Sequence, residues 1–241
     1  MFWKTNHTIM FKKIALSIAA ISALSFTSAS AQKYLSIGPV VGFGHSGVSN
    51  GKMKDEIDIK SKFNPSFHAG IGLIYAKHEH WGFGGEILFS KEGYKKEFTD
   101  KTWNIGYEET NSVGYIRVPL RVYYFFGKYD QKIRPKVYVG PSIGFKIMDD
   151  QNLEAINGTP QALVNDMPIA AFNTVDLGLQ AGVGVNIPLS KATWLNLDLN
   201  YYQGLLDAVG DISGFKTGYN MNQNFGLQVG VLFGLGKMAK K

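Results

Sequence analysis

Apolar residues recur at every second position through about eight segments between Tyr34 and Phe233, and the connections between segments differ sharply in length. In the fourth segment Ile116, Val118, Leu120, Val122, Tyr124 and Phe126 share one parity, while Tyr115, Arg117, Arg121 and Tyr123 share the other. A period of two marks a strand, whose successive side chains point to opposite faces. The same alternation runs through residues 34–44, 66–75, 81–90, 137–147, 175–187, 195–201 and 224–233. Short turns at 77–80, 127–134 and 188–192 join strands in pairs. Long polar connections at 45–65, 91–112, 149–173 and 206–222 separate the pairs. An antiparallel sheet closed on itself, with tight turns at one end and long loops at the other, has this layout.

Two observations say which face points where. The polar parity carries glycine, serine and single charges, not the repeated lysine and glutamate of a water-facing sheet. Aromatic residues gather near segment ends, with Trp81, Phe89, Tyr124, Phe126, Phe145 and Tyr201 as candidates for interfacial girdles. Both imply apolar side chains outward and polar ones inward: an all-β, transmembrane, antiparallel up-and-down barrel of about eight strands in the outer membrane of a Gram-negative cell. The rival architecture is a soluble periplasmic barrel with the apolar parity inside and a ligand in its cavity. Pro39, Pro119 and Pro141 each remove a ladder hydrogen bond, which predicts a bulge or a strand edge at those positions.

The N-terminal region reads as an export signal. Lys12 and Lys13 precede an apolar run from Ile14 to Phe26, and Ala29-Ser30-Ala31 supplies a small-residue cleavage site before Gln32. Residues 1–31 are expected to be a cleaved signal peptide, with Met10 a possible true start, and residues 32–241 the barrel domain. Of the formal charge of +6, Lys4, Lys12 and Lys13 contribute three, so the remainder is only mildly basic and gives no support for nucleic-acid binding. The chain has no cysteine, which removes disulfides, thiolate metal sites and thiol nucleophiles. After the leader no apolar run is long enough for a membrane helix, which a strand-built span does not need.

An eight-stranded barrel is just wide enough inside for side chains to fill it. The charges that alternation places inside are Glu86, Arg117, Arg121, Lys146, Asp176 and Asp198, three of each sign. An unpaired charge there costs several kcal/mol, so a balanced set is expected to form a paired polar network. A narrow path for small solutes, or an anion held by Arg117 and Arg121, is the competing use. Catalytic groups are sparse. His78-Glu79-His80 sits in a short turn without a third metal ligand, and His45 and Ser46 lie at a strand end with no fixed acid beside them. No metal, cofactor or catalytic residue is expected; a lipid-active enzyme built on His45 is the alternative. In the second long loop Trp103 and Tyr107 are candidate exposed anchors.

Several segments resemble a known family. Residues 86–93, reading Glu-Ile-Leu-Phe-Ser-Lys-Glu-Gly, are similar to a segment of the Bacteroidetes outer-membrane β-barrel domain often called PorT-like. So are Tyr115 to Leu120 with Pro119, the Gly140-Pro141 pair, residues 176–184, and the Tyr202-Gln203-Gly204-Leu205 ending, in the family's order. The resemblance implies a signal-bearing, non-enzymatic outer-membrane barrel. Its role would be structural, surface-binding or as a secretion-complex partner. Its contacts would be outer-membrane lipid and, through the long loops, an extracellular or envelope protein. Barrels of this kind usually end on an aromatic residue, whereas here Phe233 is followed by a tail containing Lys237, Lys240 and Lys241.

Overall fold

Strands form where the period of two runs, but they run further than the apolar pattern alone suggests. A computed structural model describes residues 35–49, 57–76, 78–100, 102, 105–129, 131–165, 167, 171–210 and 220–235. The expected signal peptide, Trp103 and the basic tail lie outside the described residues. The elements are β1 (Leu35–Val48), β2 (Ile57–Lys62), β3 (Pro65–Tyr75), β4 (Trp81–Asp100), β5 (Ile105–Phe125), β6 (Arg134–Ile156), a single helical turn α1 (Gln161–Val164), β7 (Val175–Ser190), β8 (Thr193–Gly204) and β9 (Asn222–Gly234).

All pairings are antiparallel, and the order β4-β3-β1-β9-β8-β7-β6-β5 closes through β4–β5. Among the described residues, nine strands therefore occupy eight lanes. The short β2 pairs with the upper part of β4, Lys62 against Lys95, while β3 pairs with the lower part from Phe67 against Lys91. The two lie end to end on the same side of β4, with one extra residue between them, so β2 lengthens the lane of β3.

The apolar parity faces outward. Phe83, Ile87, Val41, Leu120, Val139, Val183 and Leu227 are large, exposed side chains around the whole circumference. Water would not tolerate such a belt, and lipid requires it. This overturns the soluble rival with its apolar parity inside. Aromatic rings mark both rims. Trp81, Tyr124 and Phe126 pack edge to face at 5.1 and 5.0 Å near the short turns. Phe67 and Phe89 lie 5.9 Å apart near the long connections, with Phe43 opposite Phe67 in register.

The prolines do not mark bulges as expected. The β1–β9 ladder skips Gly38 and Pro39 and resumes in the same register, and β5–β6 does the same beyond Pro119, where the partner strand carries Pro141. Pro39 and Pro141 are exposed on the outer face and Pro119 is buried on the inward parity, and the ladder resumes past each without a shift. The register shifts fall instead at Gly114/Tyr115 and at Pro188/Ser190.

The second correction concerns the loops. Residues 91–112 are expected to form a polar loop, yet β4 and β5 continue through nine further pairs, Glu92 with Val113 up to Asp100 with Ile105. β6 follows β5 as far as Ile156 opposite Gly106. Together with β2 these strands raise a four-stranded extension on one side of the outer mouth. Polar residues on both faces hide this sheet from a search for apolar alternation.

Candidate functional site: the charged barrel interior

Three layers of polar side chains cross the bore. Outermost, Arg117 of β5 donates from Nε and Nη2 to the two carboxylate oxygens of Glu92, at 2.8 and 2.7 Å. Its Nη2 also reaches Asp176 of β7 at 2.8 Å. Ser90 donates to Glu92 at 2.6 Å and Asn222 of β9 to Asp176 at 3.0 Å. The guanidinium lies over the Tyr202 ring at 4.2 Å and near the Tyr115 ring at 5.0 Å. Arginine is suited to this place because its planar fork serves carboxylates at its edge and aromatics at its faces.

The middle layer repeats the scheme four residues further along β5. Arg121 donates to Glu86 through Nη1 and Nη2 at 2.5 and 2.7 Å, and to the Gln180 carbonyl through Nε and Nη2 at 3.1 and 2.9 Å. Gln228 of β9 donates to Glu86 at 2.7 Å, and its own carbonyl oxygen meets His68 Nε2 at 3.0 Å. In the third layer Lys136 donates to Asn196 at 2.7 Å and lies 3.0 Å from Asp198. A cavity of about 10 Å³ separates the middle and third layers, close to the room one water needs. Glycine makes space for the larger rings: a Cβ on Gly182 would come within 2.3 Å of the Tyr138 ring that lies across it.

Apolar clusters bracket these layers. Toward the short turns Val40, Ile74, Phe125 and Leu232 pack with Tyr123 and Tyr138. At the outer mouth Val48, Tyr94, Val113 and Tyr115 receive Phe172, Ala208 and Val209 from two connecting segments, which meet in a bridge between Phe172 and Val209. Lys146 belongs to this mouth, not to the interior network expected from its parity. It pairs with Asp149 at 2.9 Å and donates to the Phe172 carbonyl. Lys146 stands opposite Tyr115, which belongs to the cluster at the outer mouth, so its partners are Asp149 and the Phe172 carbonyl and not the layers below.

Of the six charges placed inside by alternation, the structure joins Glu86 with Arg121 and Arg117 with Asp176, and gives Asp198 to Lys136. Glu92 and Lys136 were not among the expected residues. Both fall one step beyond the expected strand ends, on the parity that Ser90 and Tyr138 already define, so extending the count would have found them.

The extension carries a second buried polar group, above the lipid belt. Tyr94 donates to Glu109 at 2.5 Å, and the Lys96 ammonium lies 5.1 Å from the Tyr94 ring. Burial pulls the Lys96 ammonium down to about 8, against the attraction of Glu109. Burial likewise lifts the Glu109 carboxyl above its usual range, opposed by the Tyr94 hydrogen bond and by Lys96. Tyr107, expected as an exposed anchor, is half-buried and stacks on Phe98 at 4.9 Å. Burial, and then the charge of Glu109, push its hydroxyl up to about 12.

Elsewhere, His45 Nδ1 takes the Asn64 backbone N–H at 3.1 Å, and Ser46 Oγ accepts from the Asn64 side chain at 3.0 Å. His80 is held by the Phe125 carbonyl at 3.0 Å. Among the described residues no group of three or more His, Asp or Glu side chains is placed to hold a metal. A concavity of about 850 Å³ on the outer wall is walled by apolar side chains such as Ile71, Phe83, Ile87 and Leu120, with the small Ala69 and Gly85 at its floor.

Eight closed lanes with an apolar belt outside and paired charges inside define a transmembrane β-barrel of the outer membrane. The chain belongs to the outer membrane protein beta-barrel domain family, whose model matches residues 26–210. Among solved structures it is similar to the outer membrane protein OprG from Pseudomonas aeruginosa, at 11% identity and a TM-score of 0.48, over 86% of this chain and 97% of that one. It is also similar to Escherichia coli outer membrane protein W, at 14% identity and a TM-score of 0.38, over 82% and 97%. A third is Ail, the attachment invasion locus protein of Yersinia pestis, in complex with the heparin analogue sucrose octasulfate. The identity is 14% and the TM-score 0.37, over 83% and 99%. No curated protein sequence matches the chain.

Proposed function

We propose that this protein is a closed, non-enzymatic outer-membrane scaffold that holds an interaction surface above the membrane. The pairing of Arg121 with Glu86 and Gln180 carries the reading, because it spends the interior charges on one another at the middle of the bore. The layers on either side, and the cover of Phe172 and Val209, support the same view. A solute path would need charged groups facing open water instead.

The engagement of His45 and Ser46 by Asn64 supports a structural role for them and counts against a lipid-active centre. Kinship with PorT-like barrels, carried by the order of the shared segments, belongs to this reading. So does an extracellular or envelope protein partner, met by the extension and the connections around it.

Reconstitution in planar bilayers tests the proposal. The wild-type barrel is expected to give no steps above the protein-free baseline, and steady ohmic steps would overturn it. Should Arg117→Ala and Arg121→Ala change an existing wild-type conductance without loss of the folded gel band, the protein would instead be a narrow channel.

A further inference from the structure

Arg134 opens β6 at the end of the barrel where the short turns lie, which in this architecture is the periplasmic mouth. It is only 7% exposed. Both faces of its guanidinium are occupied, by the Phe125 ring at 4.2 Å and the Tyr129 ring at 4.4 Å. Tyr129 is itself pinned, its hydroxyl donating to the carbonyls of Ala76 and His78 at 2.5 and 2.8 Å. A guanidinium stacked on two sides can hydrogen-bond only at its edge. Here Nε and Nη2 are buried and neither has a partner. That is the same edge with which Arg117 chelates both oxygens of Glu92. Glu79 acts on Arg134 through space but is solvent-exposed and forms no ion pair with it within 4.0 Å.

This fork borders a cavity of about 50 Å³ at this mouth, which Asn186 and Asn196 also line. Lys136 takes the Asn196 carbonyl oxygen at 2.7 Å, and this fixes the amide with Nδ2 as its free end. Nδ2 is buried and unpartnered too, as is Asn186 Oδ1. Desolvated donors without acceptors are costly, and a buried cation without an anion more so.

We propose that the periplasmic mouth holds a binding site for a small oxyanion, a carboxylate or phosphate, chelated by Arg134 Nε and Nη2 with Asn196 Nδ2 as a further donor. Two anionic oxygens side by side match the fork as Glu92 matches that of Arg117. Leu35, Ile74 and Leu232 on the cavity wall suit a short apolar substituent on the acid.

The test is calorimetric titration of the folded, detergent-solubilised barrel with sodium butyrate and, separately, inorganic phosphate. Saturable binding of either is expected in the wild type. At least a tenfold loss is expected in Arg134→Gln, and a smaller loss in Arg134→Lys, since an ammonium cannot offer two parallel donors. Lys146→Gln at the opposite mouth is expected to bind like the wild type. Butyrate binding alone assigns a carboxylate, and phosphate binding assigns a tetrahedral anion. A second readout needs no variant: the Arg134 Nε–H resonance of ¹⁵N-labelled wild type shifts on titration. Absence of binding by both anions, unchanged affinity in Arg134→Gln, or a static Nε–H resonance would each overturn the proposal.

Discussion

Arg121 and Glu86 face each other from neighbouring strands, joined by two hydrogen bonds of 2.5 and 2.7 Å, and both side chains are buried. The pair is also the hub of the middle layer, since Gln180 and Gln228 bind one member each. Removing one partner therefore does more than delete a contact. It strands a charge and leaves an amide without its ligand, Gln228 when Glu86 goes and Gln180 when Arg121 goes.

Glu86→Ala is expected to cost about 3–5 kcal/mol of stability, the usual penalty for breaking a buried pair. The double variant Glu86→Met/Arg121→Met should recover most of that loss, because well-packed apolar replacements of buried pairs are often neutral or better. Urea unfolding in lipid vesicles, read by the gel-mobility difference between folded and unfolded barrel, measures both. A double variant no more stable than Glu86→Ala would refute the pairing argument.

Lys96 makes the stability of the extension depend on pH. Its ammonium titrates at about 8 in the folded chain against 10.5 when free, so the unfolded chain binds more protons between those values and stability rises with pH there. Below about pH 8 the penalty is constant, of order 3 kcal/mol at most from that difference. Lys96→Met is thus expected to slow amide exchange in the β4–β5 hairpin at pH 7, relative to the wild type at the same pH. The advantage should shrink steadily toward pH 10.

Gly93 sits at φ +138°, where the wall of β4 passes into the extension. A Cβ there would lie 1.9 Å from the Asn111 carbonyl oxygen. Gly93→Ala is expected to cost the extension about 1–3 kcal/mol or more from backbone strain and this clash. Faster protease cleavage within residues 94–109, with the membrane-embedded part still folded, is the expected signature.

Phe172 is buried at the outer mouth, 5.8 Å from the Tyr94 ring, and its carbonyl accepts from Lys146. Phe172→Ala should release the segment between β6 and β7, with a loss of about 3–5 kcal/mol in docking, the usual cost of truncating a buried aromatic. Limited proteolysis of residues 157–174 would reveal it. Val164, fully buried within the same connection, should become accessible when substituted by cysteine and probed with a thiol reagent.

Alternation made the eight lanes legible because lipid demands an apolar side chain at every second position, and Phe83, Ile87 and Leu120 obey. The same logic put Arg117, Arg121, Glu86, Asp176 and Asp198 inside. It failed where the lipid ends. Above Lys91 both faces of the β4–β5 hairpin are polar or mixed, so strand and loop look alike, and alternation gives no sign that Glu92 points inward. Lys136 was lost because the apolar run of β6 starts one residue later, although Arg134 and Lys136 share the parity of Tyr138. The pairing partners themselves were not readable, since Asp198 could have served Arg121 as well as Lys136. Parity gives a facing direction, while the height of a side chain in the bore depends on strand stagger.

The polar network also bears on how the chain can be assembled. Glu86 stands on β4, yet one of its ligands, Gln228, arrives on β9, which follows the other described strands in chain order and pairs with β1. Asp176 likewise waits for Asn222 of β9. A partial sheet that lacks β9 leaves these carboxylates short of donors and must keep them in water. Dehydration of the bore and arrival of the final strand are then one event, so the nascent barrel stays wet until its seam against β1 is sewn.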